Sequence, residues 1–81
     1  MIDVLFFAQV RELTGTSSLQ LAAEFPTVEE LRVSLTARGD RWALALESGK
    51  LLVAVNQTLT TMAHPLTAGD EVAFFPPVTG G

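Results

Sequence analysis

The chain has 81 residues, nine acidic against five basic, with one histidine and no cysteine, and a formal charge of −4. Without cysteine there is no disulfide, thiolate metal site or cysteine nucleophile. Without a Lys/Arg cluster, nucleic acid is not an expected partner. Apolar residues make up 48% of the chain and mean hydropathy is +0.37. A domain this small buries only about 60–65% of its unfolded surface, so an exposed apolar patch and a protein partner are expected.

The apolar runs, such as "LLVAV" at 51–55, fall far short of the ~20 residues needed to cross a bilayer. No basic stretch precedes an apolar one at the N-terminus, so no signal peptide is expected. Composition therefore points to one soluble domain, cytoplasmic or in an equivalent compartment, with no membrane partner.

"MIDVLFFAQV" at 1–10 reads as a strand in which Ile2, Val4 and Phe6 alternate with Asp3, Leu5 and Phe7. Asp3 should face water, which puts Leu5 and Phe7 on the solvent side with it. Arg11 and Glu12 then read as a solvated turn, with Arg11 also a candidate partner contact near a sheet edge. A turn cluster around Gly15 leads to "SLQLA", a short second strand with Leu19 and Leu21 on one face, so the two strands suggest a hairpin.

"FPTVEELRVSLTARGD" reads as a helix. Thr27 and Glu30 form a T-x-x-E capping box, and Val28, Leu31 and Leu35 make an apolar stripe. Arg38 is placed in the last turn and Gly39 just past it. Glu29 and Glu30 are read as first-turn charges favouring the helix dipole, not as a catalytic carboxylate pair. "DRWALALES" reads as a helical turn capped by Asp40, with Trp42 and Leu46 packed inward, followed by a turn at "SGK". "KLLVAVNQ" has apolar residues on both faces, as an inner strand does. "TLTTM" is a weaker strand. In the last strand, "EVAFF", Val72 and Phe74 should point one way and Ala73 and Phe75 the other. Strands arranged around one long helix predict an α+β domain, a mixed sheet of about four to five strands with the helix on one face.

Familiar catalytic constellations are missing. His64 stands alone in a turn and is read as structural rather than as a general base. One histidine without cysteine does not make a metal site, and "GDEV" lacks the spacing and the lysine of a phosphate loop. The chemistry is expected at the C-terminus, "FFPPVTGG". Pro76 and Pro77 fix φ, lack backbone N–H groups and favour an extended path. From Pro76 the tail reaches on the order of 20 Å, and Gly80 and Gly81 make its end thin enough to thread a narrow channel. The organisation expected is a domain over 1–75 and a tail over 76–81.

These stretches carry a resemblance. "VLFFAQVRE" at 4–12, "FPTVEELR" at 25–32, "DRWALALE" at 40–47, "AVNQTL" at 54–59 and "HPLTAGDEVAFFPPVTGG" at 64–81 are similar to the ubiquitin-like β-grasp sulfur carriers, and among them to the small subunits of molybdopterin synthases. The resemblance implies that the chain binds no cofactor and is not an enzyme by itself. An E1-like enzyme would use ATP to adenylate the Gly81 carboxylate, and a sulfur donor protein would convert the acyl-AMP to a thiocarboxylate. The tail would then enter the large synthase subunit and pass sulfur to cyclic pyranopterin monophosphate, forming the molybdopterin dithiolene of the molybdenum cofactor. Two small and two large subunits would make a heterotetramer. Gly81 would carry the sulfur and Gly80 give clearance. The partner-facing residues expected are Leu5, Phe7, Leu59 and Phe75 on the domain, with Pro76, Pro77, Val78 and Thr79 in the tail. The alternatives are a sulfur carrier for thiamine synthesis or tRNA thiolation, and a non-catalytic ubiquitin-like interaction module.

Overall fold

The computed structural model describes residues 1–47, 49 and 51–77. The chain runs β1 (Ile2–Phe6), α1 (Ala8–Thr14), β2 (Ser18–Leu21), α2 (Val28–Thr36), α3 (Asp40–Ala45), β3 (Leu52–Val55), β4 (Thr58–Thr60) and β5 (Glu71–Phe75). One five-stranded sheet is ordered β2-β1-β5-β3-β4. Only the β1–β5 pair is parallel; the other three are antiparallel. This is the mixed sheet of an α+β, ubiquitin-like β-grasp domain.

Alternation places one face of every strand in the core. Ile2, Val4 and Phe6 of β1, Val53 and Val55 of β3, and Val72 and Phe74 of β5 are buried. Against them pack Val28, Leu31 and Leu35 of α2, which no solvent reaches. α2 begins as its capping box predicts, with the Thr27 hydroxyl accepting a bond from the Glu30 amide. Phe6 ties three elements together. Its ring stacks on Phe74, with centroids 6.2 Å apart, and meets the edge of Trp42 of α3 at 5.5 Å. The Arg38 guanidinium lies over the Trp42 ring, 5.2 Å from its centroid.

Three expectations need correction. First, β1 stops at Phe6, and residues 8–14 form a helix that period-two reading concealed. Ala8 takes φ 51°, a left-handed step that ends the alternation. Val10 and Leu13, spaced i, i+3, then turn toward the core, where Val10 is buried. Gly15, at φ 66°, is the left-handed C-cap of this helix, its amide bonding to the Arg11 carbonyl. β1 and β2 are antiparallel neighbours as expected, but α1 joins them instead of a short loop. Second, Arg11 lies in the last turn of α1 rather than in a turn after a strand. Third, α2 ends at Thr36, so Arg38 and Gly39 lie beyond it. Gly39, at φ 156° and ψ 175°, is the N-cap of α3, an extended conformation open essentially to glycine alone. The expected cap, Asp40, is instead the first residue of α3.

Candidate tail-delivery surface

β5 is the middle strand of the sheet, hydrogen-bonded on both sides. A tail leaving its end starts from a strand held at both edges. Pro76 follows it half-buried and Pro77 is exposed. Neither proline offers an amide to the ladder, so pairing must stop there. The expected tail residues Val78, Thr79, Gly80 and Gly81 lie outside the described residues, as do Ser48 and Lys50 of the "SGK" turn.

The sheet face turned away from α2 divides in two. Across its centre the register sets Leu5 beside Ala73, Ala73 beside Ala54, and Ala54 beside Leu59, an apolar row over four strands. Toward the tail, Leu52 stands beside Phe75. These side chains are half-buried, except Leu59, which is 64% exposed. Phe7, one residue past β1, donates its amide to the Phe74 carbonyl at 3.2 Å and is 46% exposed. Away from the tail the face is polar. Asp3 pairs with Glu71 and Gln20 in register, and the Gln20 amide donates to the Asp3 carboxylate at 2.9 Å.

The sequence-predicted patch residues Leu5, Leu59 and Phe75 thus share one surface, with Phe7 at its tail-side end, although Phe7 is no longer a strand residue. Leu52, Ala54 and Ala73 complete the surface and were not singled out. Their alternation was legible, but only strand pairing shows that Ala73 and Ala54 bridge Leu5 to Leu59 and that Leu52 stands beside Phe75. Arg11 stands apart, exposed on α1.

Two conspicuous sequence motifs brace this surface. "AVNQ" supplies the β3–β4 turn, where Asn56 at φ 51° and Gln57 at φ 67° give the left-handed pair of a tight hairpin. "GDEV" opens β5. The Asn56 side chain accepts from the Glu71 amide at 3.0 Å and donates to the Asp70 carboxylate at 3.0 Å, while the Asn56 amide bonds to the Glu71 carbonyl. Asp70 also accepts from the Thr67 amide at 2.9 Å. The Thr67 backbone bond first, then the Asn56 side chain, hold its carboxyl below the ordinary aspartate range. The hairpin carrying Leu59 is thereby clamped to the strand carrying the tail.

A second brace lies on the helical side. Arg32 is buried, forks onto the Glu29 carboxylate at 2.8 and 2.6 Å, and donates to the Leu46 carbonyl at 2.8 Å. Those bonds to Arg32 lower the Glu29 pKa and raise that of Arg32. Glu29 therefore has a structural partner in addition to its place in the first helical turn. His64 contacts only the Thr60 hydroxyl, at 3.3 Å, among the side-chain bonds of the described residues. Among those residues no group of three or more His, Cys, Asp or Glu could hold a metal ion, and no helix is long and apolar enough to cross a membrane.

Known proteins resemble this chain along its whole length. The model of the ThiS family matches residues 4–81. The molybdopterin synthase sulfur carrier subunit of Escherichia coli (strain K12) is 73% identical over 81 residues, covering all of both chains. The protein of the same name from Haemophilus influenzae is 59% identical, also over all of both chains. Among solved structures, a chain in the complex of subunits 1 and 2 of the molybdopterin-converting factor from Helicobacter pylori 26695 is 26% identical. It superimposes with a TM-score of 0.68 over 99% of this chain and 97% of its own.

Proposed function

The chain belongs to the ThiS family, among the molybdopterin synthase sulfur carrier subunits, and we propose that it carries sulfur on the carboxyl group of Gly81 for molybdopterin synthesis. The observation that carries this reading is the 73% identity to a named sulfur carrier, in an alignment that runs through the terminal Gly80–Gly81. The names of those relatives favour molybdopterin over thiamine or tRNA thiolation.

The chemistry follows from what a carboxylate lacks. It is a poor acyl donor because its leaving group would be oxide. The Gly81 carboxylate attacks the α-phosphorus of ATP in an E1-like enzyme, pyrophosphate departs, and an acyl-AMP remains. A sulfur donor at the oxidation level of sulfide attacks the carbonyl, AMP leaves, and a thiocarboxylate forms. In the large subunit its sulfur attacks a side-chain carbon of cyclic pyranopterin monophosphate, and a carbon–oxygen bond at that carbon breaks, its oxygen staying on the phosphate or leaving as water. Water then cleaves the acyl–sulfur bond and restores the carboxylate. Two such transfers supply the two sulfurs of the dithiolene. Glycine at both final positions suits each step, since a β-carbon would crowd the attack on the carbonyl.

This chain contributes delivery. The central strand β5 fixes the root of the tail, Pro76 and Pro77 direct it outward, and the surface of Leu5, Phe7, Leu52, Leu59 and Phe75 docks the large subunit. The catalytic side chains belong to that partner. The test is intact mass spectrometry after incubation with ATP, the activating enzyme and a sulfide source. The expected product has one oxygen of Gly81 replaced by sulfur; a C-terminal peptide of unchanged mass would sink the proposal.

A further inference from the structure

A groove of about 290 Å³ opens between α1 and α3 at the root of the tail. Val10 and Leu13 of α1, Leu44 and Ala45 of α3, and Pro76 line it, with Gln9 and Glu47 as its polar members. Val10 and Ala45 are buried. Leu44 is 60% exposed, one of five large apolar side chains left open to solvent among the described residues.

Pro76 is the key to its place. Phe75 belongs to the apolar sheet face, and the next residue already lines the groove. The two apolar surfaces therefore meet at the point where the tail departs. Any protein that draws the tail into itself must pass over this junction. The size of a lasting interface bears on which protein that is. A stable complex engages roughly 20–30 residues a side. The sheet-face surface offers far fewer apolar ones, and away from the tail, at Asp3 and Glu71, that face turns acidic. The groove is the adjoining apolar surface by which the contact can grow.

We propose that the α1–α3 groove is a second docking site for the large synthase subunit, receiving one of its apolar side chains, so that the partner grips the carrier on both sides of the tail root. The inference rests on the sulfur-carrier reading. It gives the helix α1 a use: Phe7 at its N-cap borders the sheet-face surface, and Val10 and Leu13 wall the groove. Gripping both sides would fix the direction in which Pro77 and the residues after it leave the domain, as placement of a reacting group in another protein's site requires.

The experiment is isothermal titration of the full-length carrier with its cognate large subunit, comparing Leu44→Asp, Leu44→Ala, Leu59→Asp and Val33→Asp. Val33 is an exposed residue of α2 that does not line the groove, so it controls for added charge. Leu44→Asp is expected to weaken binding at least about tenfold, equivalent to about 1.4 kcal/mol. Leu44→Ala should give a smaller loss in the same direction, and Val33→Asp should leave the affinity within about twofold of the parent, less than about 0.4 kcal/mol. If Leu59→Asp weakens the complex while both Leu44 variants bind like the parent, the groove assignment is wrong and the sulfur-carrier reading stands. If the parent itself fails to bind the large subunit, both fall. Two further results would assign the groove to another occupant and overturn the proposal. In the free carrier, Leu44→Asp could shift the amide resonances of Gly80 and Gly81, indicating the chain's own tail. It could instead convert a dimer to a monomer in sedimentation, indicating a second copy.

Discussion

Asp70 shows how one residue serves a surface it does not belong to. Its carboxylate accepts from Thr67 and Asn56, and those bonds lower its pKa from the ordinary value of 3.8. A lowered folded-state pKa means that the ionised form stabilises the fold. That contribution is complete above the unfolded value and is lost as pH falls through the folded one. The parent should therefore melt higher than Asp70→Asn at pH 7, and the gap should close below about pH 4. Thermal melts across that range check this; a gap that stays constant to pH 2 would show that the charge of Asp70 is not what matters. Gln57 is the converse case, a residue kept against local preference. Its φ of 67° is glycine territory in a two-residue hairpin turn. Gln57→Gly should raise stability by roughly 0.5–1 kcal/mol, readable as a shift of the urea midpoint at unchanged slope.

At the scale of elements, α3 depends on α2 for its anchorage. The Leu46 carbonyl that ends α3 accepts from a buried Arg32 whose remaining fork is held by Glu29. Arg32→Ala leaves that carbonyl without its donor and opens space beneath it, at a cost of about 1–3 kcal/mol. Glu29→Gln keeps the geometry but removes the charge and should cost less. Chemical denaturation of the two variants tests the ranking, and equal losses would count against the carbonyl bond as the dominant part. Because Leu44 and Ala45 ride on α3, Arg32 is also expected to hold the groove in shape. The helix α1 is where sequence reading fell short. "AQVRELT" is a good helix, with strong helix formers, an i, i+3 apolar pair and a C-terminal glycine. The alternation of "MIDVLFF" just before it carries the strand pattern past its true end, because period two and period 3.6 overlap over so few residues.

Over the whole molecule, the proposed function assigns delivery to the tail and recognition to the domain, so the two should be separable. Removing Gly81 should abolish sulfur transfer while leaving affinity for the large subunit nearly unchanged, since both proposed docking surfaces lie on the folded domain. Phe7→Asp should do the reverse, weakening the complex about tenfold or more while the terminus can still be adenylated. Titration calorimetry paired with an adenylation assay reads both. A deletion that loses affinity and turnover together would mean that the tail itself supplies most of the binding.

What the sequence determined by itself was chemical and local. The absence of cysteine excludes disulfides, thiolate metal sites and a cysteine nucleophile, whatever the fold. The Thr27–Glu30 cap and the Val28–Leu31–Leu35 stripe specify α2 from neighbouring residues alone. The alternation of "EVAFF" assigns its two faces before any partner strand is known. Only the tertiary structure decided which strands stand side by side, because pairing joins residues far apart in the chain and no local pattern encodes it. Placing β5 between β1 and β3 aligns Leu5, Ala73, Ala54 and Leu59 into one surface. The same placement bonds Asn56 to Asp70 and sets Pro76 against the groove of α1 and α3. The packing shows what surrounds the root of the tail at Pro76.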